Sequence, residues 1–188
     1  ERAQLVQRAT TTIINQVDSL RRLVDAFGDY ARPGSSQREP LALEPLISGI
    51  VDLWSAGDTG VRFEIDLEHG DARPIGDAGQ FQQVLNNLVQ NAREAHPDGA
   101  PLLRIHSEVC AGHDDGDWLV LDIADDGPGF DPEILPRVFE PYASTKPRGT
   151  GLGLAIVHRI LDQMGGRIEV ENAPEGGALI RLHLPLRS

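Results

Sequence analysis

Asn87 and Asn91, two amides one helical turn apart, precede two glycine-rich loops, Asp125-Asp126-Gly127-Pro128-Gly129 and Gly149-Thr150-Gly151-Leu152-Gly153. Each of these residue types suits a particular chemistry. An amide oxygen, such as that of Asn91, can ligate a hard Mg2+ ion that keeps several waters and bridges phosphates. Gly127 and Gly129 allow backbone conformations closed to other residues and put no Cβ between the chain and a ligand. The second loop runs straight into an amphipathic stretch, so Thr150, Gly151, Leu152 and Gly153 would offer N–H groups and the positive end of a helix to phosphate oxygens. Lys146 and Arg148, just upstream, are candidate phosphate contacts from a mobile lid. Asp125 closes the apolar alternation Leu119, Leu121, Ile123, and a carboxylate at the end of a buried strand needs a donor to offset its desolvation. Each residue also has a plainer reading as a surface amide, a turn aspartate, a glycine turn or a solvated cation. It is their combination and order that point to a nucleotide site.

Regular elements must position these groups. Asp77, with Gln80 three residues on, forms the pattern of a capping box and predicts a helix running to about residue 95. That helix puts Asn87 and Asn91 on one face, and Glu94 three residues beyond Asn91. Alternating apolar residues predict strands over 61–67, 102–109, 118–124, 167–171 and 178–184, with 102–109 and 118–124 joined as a hairpin. Further helices are expected over 44–56 and from about 151–153 to the glycine stop at Gly165-Gly166. Between the glycine loops lies a long stretch rich in proline and glycine, broken only by a short helix over 132–138. A loop of that length is usually either functional, such as a lid, or disordered. Phe139 and Tyr142 are equally lid anchors or ordinary core aromatics. Residues 41–188 therefore read as an α/β domain, a two-layer sandwich with helices on one face of a mixed sheet.

Upstream, Val6, Thr10, Ile13, Val17, Leu20, Val24, Phe27 and Ala31 step by fours and threes, the heptad spacing of one long helix over 1–31. Leu23 and Tyr30 widen the stripe, which suits a helix of a four-helix bundle. Residues 32–40, with two prolines and small polar residues, read as a linker. There is no internal repeat.

The 188 residues carry a formal charge of -12, with an isoelectric point near 4.8, which argues against a nucleic-acid partner and makes any phosphate binding local. Cys110 is the sole cysteine, so it has no internal disulfide partner; it suits a reducing compartment and reads as a small core residue. No apolar run approaches bilayer length and the first residues do not resemble a signal peptide. The expectation is a soluble, cytoplasmic chain, whether whole or the soluble part of a larger membrane-anchored one.

In chain order, the segments 85–92, 125–130, 139–142 and 149–154 resemble the N, G1, F and G2 boxes of two-component sensor histidine kinases, with greatest likeness to the nitrogen-regulation sensors. The resemblance covers residues 40–188. It implies the ATP-lid fold shared with gyrase, Hsp90 and MutL type ATPases, with Mg2+ on Asn91 and adenine on Asp125. Asp126 departs from the asparagine common at its place. The ATPases of this fold carry a glutamate that activates water where this chain has Asn87. An amide does not take up a proton near neutral pH, so the resemblance implies a site that holds ATP rather than hydrolysing it. Glu94 is a poor substitute base. The phosphoryl acceptor of such kinases is a histidine followed by an acidic residue on the first bundle helix. None of His69, His96, His106, His113, His158 or His183 has that setting, and 1–31 resembles the second bundle helix. The implied activity is transfer of the γ-phosphoryl of Mg-ATP to a histidine supplied by another segment or chain, in a homodimeric sensor working with a response regulator. The alternatives are an ATPase of the same fold and a non-catalytic nucleotide-dependent interaction module.

Overall fold

A computed structural model describes residues 37–55, 60–96, 99–112, 116–143 and 151–186. The helix expected over 1–31, most of the linker, and Lys146, Arg148 and Thr150 lie outside them. The chain forms β1 (Glu39–Pro40), α1 (Leu43–Ser55), β2 (Arg62–Glu68), β3 (Ile75–Gly76), α2 (Ala78–Ala95), β4 (Leu102–Cys110), β5 (Trp118–Asp125), a 3-10 turn (Leu135–Arg137), α3 (Gly153–Met164), β6 (Arg167–Asn172) and β7 (Ala178–Pro185).

Five strands make one sheet in the order β2-β4-β5-β7-β6. β2 pairs with β4 in parallel and the other neighbours are antiparallel, so the sheet is mixed. Register puts Ile105, Ile123 and Ile180 in one row and Ser107, Leu121 and Leu182 in the next, all facing the helices. Against them pack Phe81, Leu85 and Leu88 of α2 and Val157, Ile160 and Leu161 of α3, in a single core. Fully burying each such side chain contributes roughly 1.5 to 3 kcal/mol. The opposite face alternates to polar residues, where Arg181 donates to both carboxylate oxygens of Asp122, at 2.8 and 2.7 Å, across the β5–β7 pair. That pairing raises the Arg181 pKa further. The two-layer sandwich read from the sequence is the fold observed. Among the described residues, no helix is long and apolar enough to cross a membrane.

Both helices that flank the site end where their sequences stop them. Asp77 caps α2 by accepting from Gln80 N at 2.9 Å. The reciprocal half of the expected capping box is missing, because the Gln80 side chain reaches instead to Gln163 Oε1 at 3.4 Å. At the end of α3, Gly165 is left-handed (φ 73°), with Gly165 N bonded to Asp162 O and Gly166 N to Leu161 O, a Schellman stop.

Three local expectations need correction. Glu39 and Pro40, the end of the expected linker, pair antiparallel with Gly76 and Ile75, and Leu41 is buried beneath them. The helix expected over 132–138 is only the 3-10 turn Leu135–Arg137, with Pro136 inside it. Cys110 is partly exposed rather than a core residue; it ends β4 opposite Trp118, and burial together with Glu108 pushes its thiol pKa up. Ser107 is a polar residue at a fully buried position, paired with the buried His69 ring at 2.6 Å.

Candidate nucleotide site

Three segments converge at the end of the sheet where β5 terminates: the middle of α2, the loop following Asp125, and the start of α3. Apolar spacing turns Leu85, Leu88, Val89 and Ala92 of α2 into the core, which leaves Asn87 and Asn91 at its edge. The Nδ2 of Asn87 is buried and has no hydrogen-bond partner among the described residues. Leaving such a donor unmet costs about 1 to 3 kcal/mol, so it is a place where a ligand acceptor would be stabilising. Neighbouring Asn86 is structural, its Oδ1 accepting from Trp54 Nε1 at 3.0 Å. Asn91 lies against α3: a side chain at Gly153 would come within 3.3 Å of Asn91 Oδ1.

Asp125 is held by the main chain. Its Oδ1 accepts from Gly127 N at 2.8 Å and, more weakly, from Ala178 N at 3.4 Å. The donor that its position at the strand end demands is thus supplied in part by the protein, and the turn-aspartate reading holds for this oxygen. Both bonds fall on Oδ1 and set the orientation of the carboxylate. Asp126 turns away from the site. Its Oδ1 accepts from Leu102 N at 2.9 Å, and Arg62 lies 3.6 Å from Oδ2. Nε2 of His96 is 3.0 Å from Oδ1, within ion-pair range but misaligned for a hydrogen bond. Burial would push the Asp126 carboxyl up, but the Leu102 N–H, His96 and Arg62 together hold it below its ordinary value.

The glycines of the first loop do not simply clear room for a ligand, as the sequence reading supposed. A Cβ at Gly127 would meet Asp125 Oδ1 and the His96 ring, each at 2.7 Å, and one at Gly129 would meet Asn172 Oδ1 at 2.6 Å. At the second loop, Gly151 (φ 65°) accepts through its carbonyl from Tyr142 N at 2.9 Å, and its Cβ would fall 2.6 Å from the Tyr142 carbonyl carbon. Leu152 is buried and is the N-cap residue of α3, whose own side chain makes no capping hydrogen bond. The first turn of α3 starts beside Asn91, and the N–H groups of a helix start suit phosphate oxygens. Phe139 packs on the core and stacks on His158, with ring centroids 4.9 Å apart, whereas Tyr142 is 65% exposed and takes part through its backbone. Of the two aromatics, Phe139 is thus the one packed on the core.

The structure thus places Asn91 against Gly153 and Asp125 against Gly127, with Asn87 one turn before Asn91 on α2, Gly129 in the same loop as Gly127, and Gly151 and Leu152 leading into α3. The sequence reading missed His96, Asn172 and Gly177, which shape the first loop. Gly177 is needed because a Cβ there would lie 1.8 Å from the Asp125 carbonyl oxygen. Glu94 is exposed, and its Oε1 accepts from Gln90 at 3.0 Å. Among the described residues, no cluster of three or more His, Cys, Asp or Glu could hold a metal. Asn91 supplies one neutral oxygen, which suits an ion that takes its remaining ligands from phosphate and water.

An amide-bearing helix, an aspartate-glycine loop and a helix that starts beside Asn91 sit on one α/β sandwich, and comparison with known proteins gives the class of this domain. The model of the histidine kinase-, DNA gyrase B- and HSP90-like ATPase family matches residues 76–188. Nitrogen regulation protein NtrY of Azorhizobium caulinodans is 38% identical over 184 residues, covering 96% of this chain and 24% of that protein. Full-length ShkA in complex with AMPPNP superposes with a TM-score of 0.72 at 26% identity, over 97% of this chain and 39% of that one. Histidine kinase ThkA, in complex with the response regulator protein TrrA, gives 0.73 at 26% identity, over 94% of this chain and 50% of that one. The chain belongs to the histidine kinase-, DNA gyrase B- and HSP90-like ATPase family, and its resemblance to sensor histidine kinases holds. It spans about a quarter of the length of NtrY.

Proposed function

We propose that this chain binds Mg-ATP between α2, the first glycine loop and the start of α3, and transfers the γ-phosphoryl to a histidine on another segment or chain. The buried, unpartnered Nδ2 of Asn87 carries this reading, since it is a donor for which the described residues supply no acceptor. Asp125, its Oδ1 fixed by Gly127 N, keeps Oδ2 for the exocyclic amine of adenine. The first turn of α3 receives phosphate oxygens, joined by Lys146, Arg148 and Thr150. Asn91 would hold the magnesium ion, whose chemistry when bound is to neutralise charge on the phosphates.

In the transfer step, an imidazole nitrogen of the acceptor forms the new bond to γ-phosphorus as the bond to the β–γ bridging oxygen breaks. ADP leaves, and the acidic neighbour of the acceptor takes the imidazole proton. This chain contributes positioning and charge stabilisation, which carry most of the catalysis in phosphoryl transfer. Asn87 cannot serve as a base for water, and Glu94 faces solvent and is engaged by Gln90, so the hydrolytic alternative lacks a base among the described residues.

The similarity to NtrY and to the ThkA complex supports a place in a homodimeric sensor, with the residues 1–31 helix in its bundle, a response regulator downstream and nitrogen regulation as the pathway class. The reading places this domain in the cytoplasm, where ATP is available, whatever anchors the whole sensor.

Incubating the chain with γ-labelled ATP, magnesium and a separate acceptor hairpin tests the proposal. Label on the acceptor histidine is expected. Brisk phosphate release, abolished by Glu94→Gln, would establish the ATPase alternative instead.

A further inference from the structure

Resting on the nucleotide reading above, we propose that Asn172 is a positioning residue that holds the first glycine loop in its ATP-binding shape. Asn172 is the last residue of β6, paired with Ala178 of β7. Its side chain does not continue the sheet but turns onto the loop. Oδ1 accepts from Phe130 N at 2.7 Å and Nδ2 donates to Phe130 O at 2.9 Å. One amide thus satisfies both main-chain groups of a single residue, as a neighbouring strand would. Among short side chains only asparagine carries an acceptor and a donor in this fork, because aspartate lacks the donor.

The fit is mutual. Asn172 Oδ1 occupies the space that a side chain at Gly129 would need, and Gly129 has φ 76°. The turn beyond Asn172 grips the other end of the same loop. Ala173 N donates to Gly177 O at 3.0 Å, Gly177 nests against the Asp125 carbonyl, and Ala178 N reaches Asp125 Oδ1. From Asp125 to Phe130 the loop is therefore braced on its β6–β7 side at both ends. Asp126 braces the opposite side through Leu102 N.

Asn172 and Phe130 meet at the exposed edge of the fold, where water competes for every one of these groups. Without the amide, the loop would spend less of its time in the shape that presents Asp125. Apparent affinity falls in proportion to the population of the competent shape. Asn172 would thus act on ATP only through the loop, making it a positioning residue rather than a catalytic one.

The experiment uses the full chain with Asn172→Ala and Asn172→Asp. It follows amide hydrogen exchange at Phe130 without nucleotide, and calorimetric binding of ATP and of ADP with magnesium. For Asn172→Ala, Phe130 exchange is expected to rise about tenfold, and ATP and ADP to weaken by one common factor of about five to ten, the worth of a typical hydrogen bond or a little more. Asn172→Asp keeps the acceptor for Phe130 N and should fall between the alanine variant and the unmodified chain in both measurements. It also carries the test if the alanine variant does not fold. Unchanged Phe130 exchange would overturn the clamp. Faster exchange with unchanged nucleotide affinity would overturn its role in binding. Failure of the unmodified chain itself to bind either nucleotide would overturn the nucleotide reading, and this proposal with it, a result distinct from both.

Discussion

Gly127 and Gly129 in the first loop give up their side-chain space largely to other side chains, those of His96, Asp125 and Asn172, whereas Gly151 gives up its own to the main chain of Tyr142 and Ala143. The difference teaches how each side of the site is built. Side chains brace the first loop, and their ends can shift when crowded. The side next to α3 is set by backbone against backbone, joined by the hydrogen bond from Tyr142 N to Gly151 O. The first arrangement can be tuned by substitution, while the second admits little change.

The largest expected effect tests this contrast at its stiffer end. Gly151→Ala should destabilise the fold by about 3 kcal/mol, since it combines a left-handed backbone with a main-chain clash. Gly127→Ala should cost only about 1 kcal/mol, because the His96 ring can move aside. Equilibrium urea denaturation of both variants checks the pair, and equal losses would break the comparison.

Next in size is an effect on ligand rather than on fold. Asp125→Asn should weaken ATP binding by about 1.5 to 3 kcal/mol, the worth of a hydrogen bond to a charged group. Calorimetry should show that loss at a nearly unchanged melting temperature.

The smallest effect concerns Asp126, whose carboxyl sits below its ordinary value in the folded chain. A group whose pKa falls on folding stabilises the fold at pH above its unfolded value, near 4, and that contribution disappears as pH drops through the folded value. Thermal melts should therefore find Asp126→Asn less stable than the unmodified chain at pH 7, with the gap closing toward pH 3. A gap that widens in acid would contradict the assignment of Asp126 to the Leu102 N–H and to the charges of His96 and Arg62.

Much of this molecule was legible because it is locally encoded. Apolar period fixed α2 and α3 within a residue or two, and Asp77 and Gly165 marked where they begin and end. Strand alternation located the five strands, though not their order in the sheet, and the order of Asn91, Asp125 and Gly151 gave the candidate site. What escaped is non-local. β1 and β3 are two residues each and pair across 35 positions of chain, too short to leave a period. Ser107 looks like a break in an apolar face until His69 is placed beside it. Asn172 reads as the polar end of a strand, and only its meeting with Phe130, 42 residues away, gives it a role. Asp126, next to a site aspartate, turns the other way because β4 begins beside it.

Titration of the folded chain with ATP in the presence of magnesium, with released phosphate measured on the same sample, addresses the central claim most directly. The account predicts saturable binding of one nucleotide per chain, with phosphate release no faster than the uncatalysed background. A folded chain that gives no binding signal, or that releases phosphate in steady turnover, would contradict it.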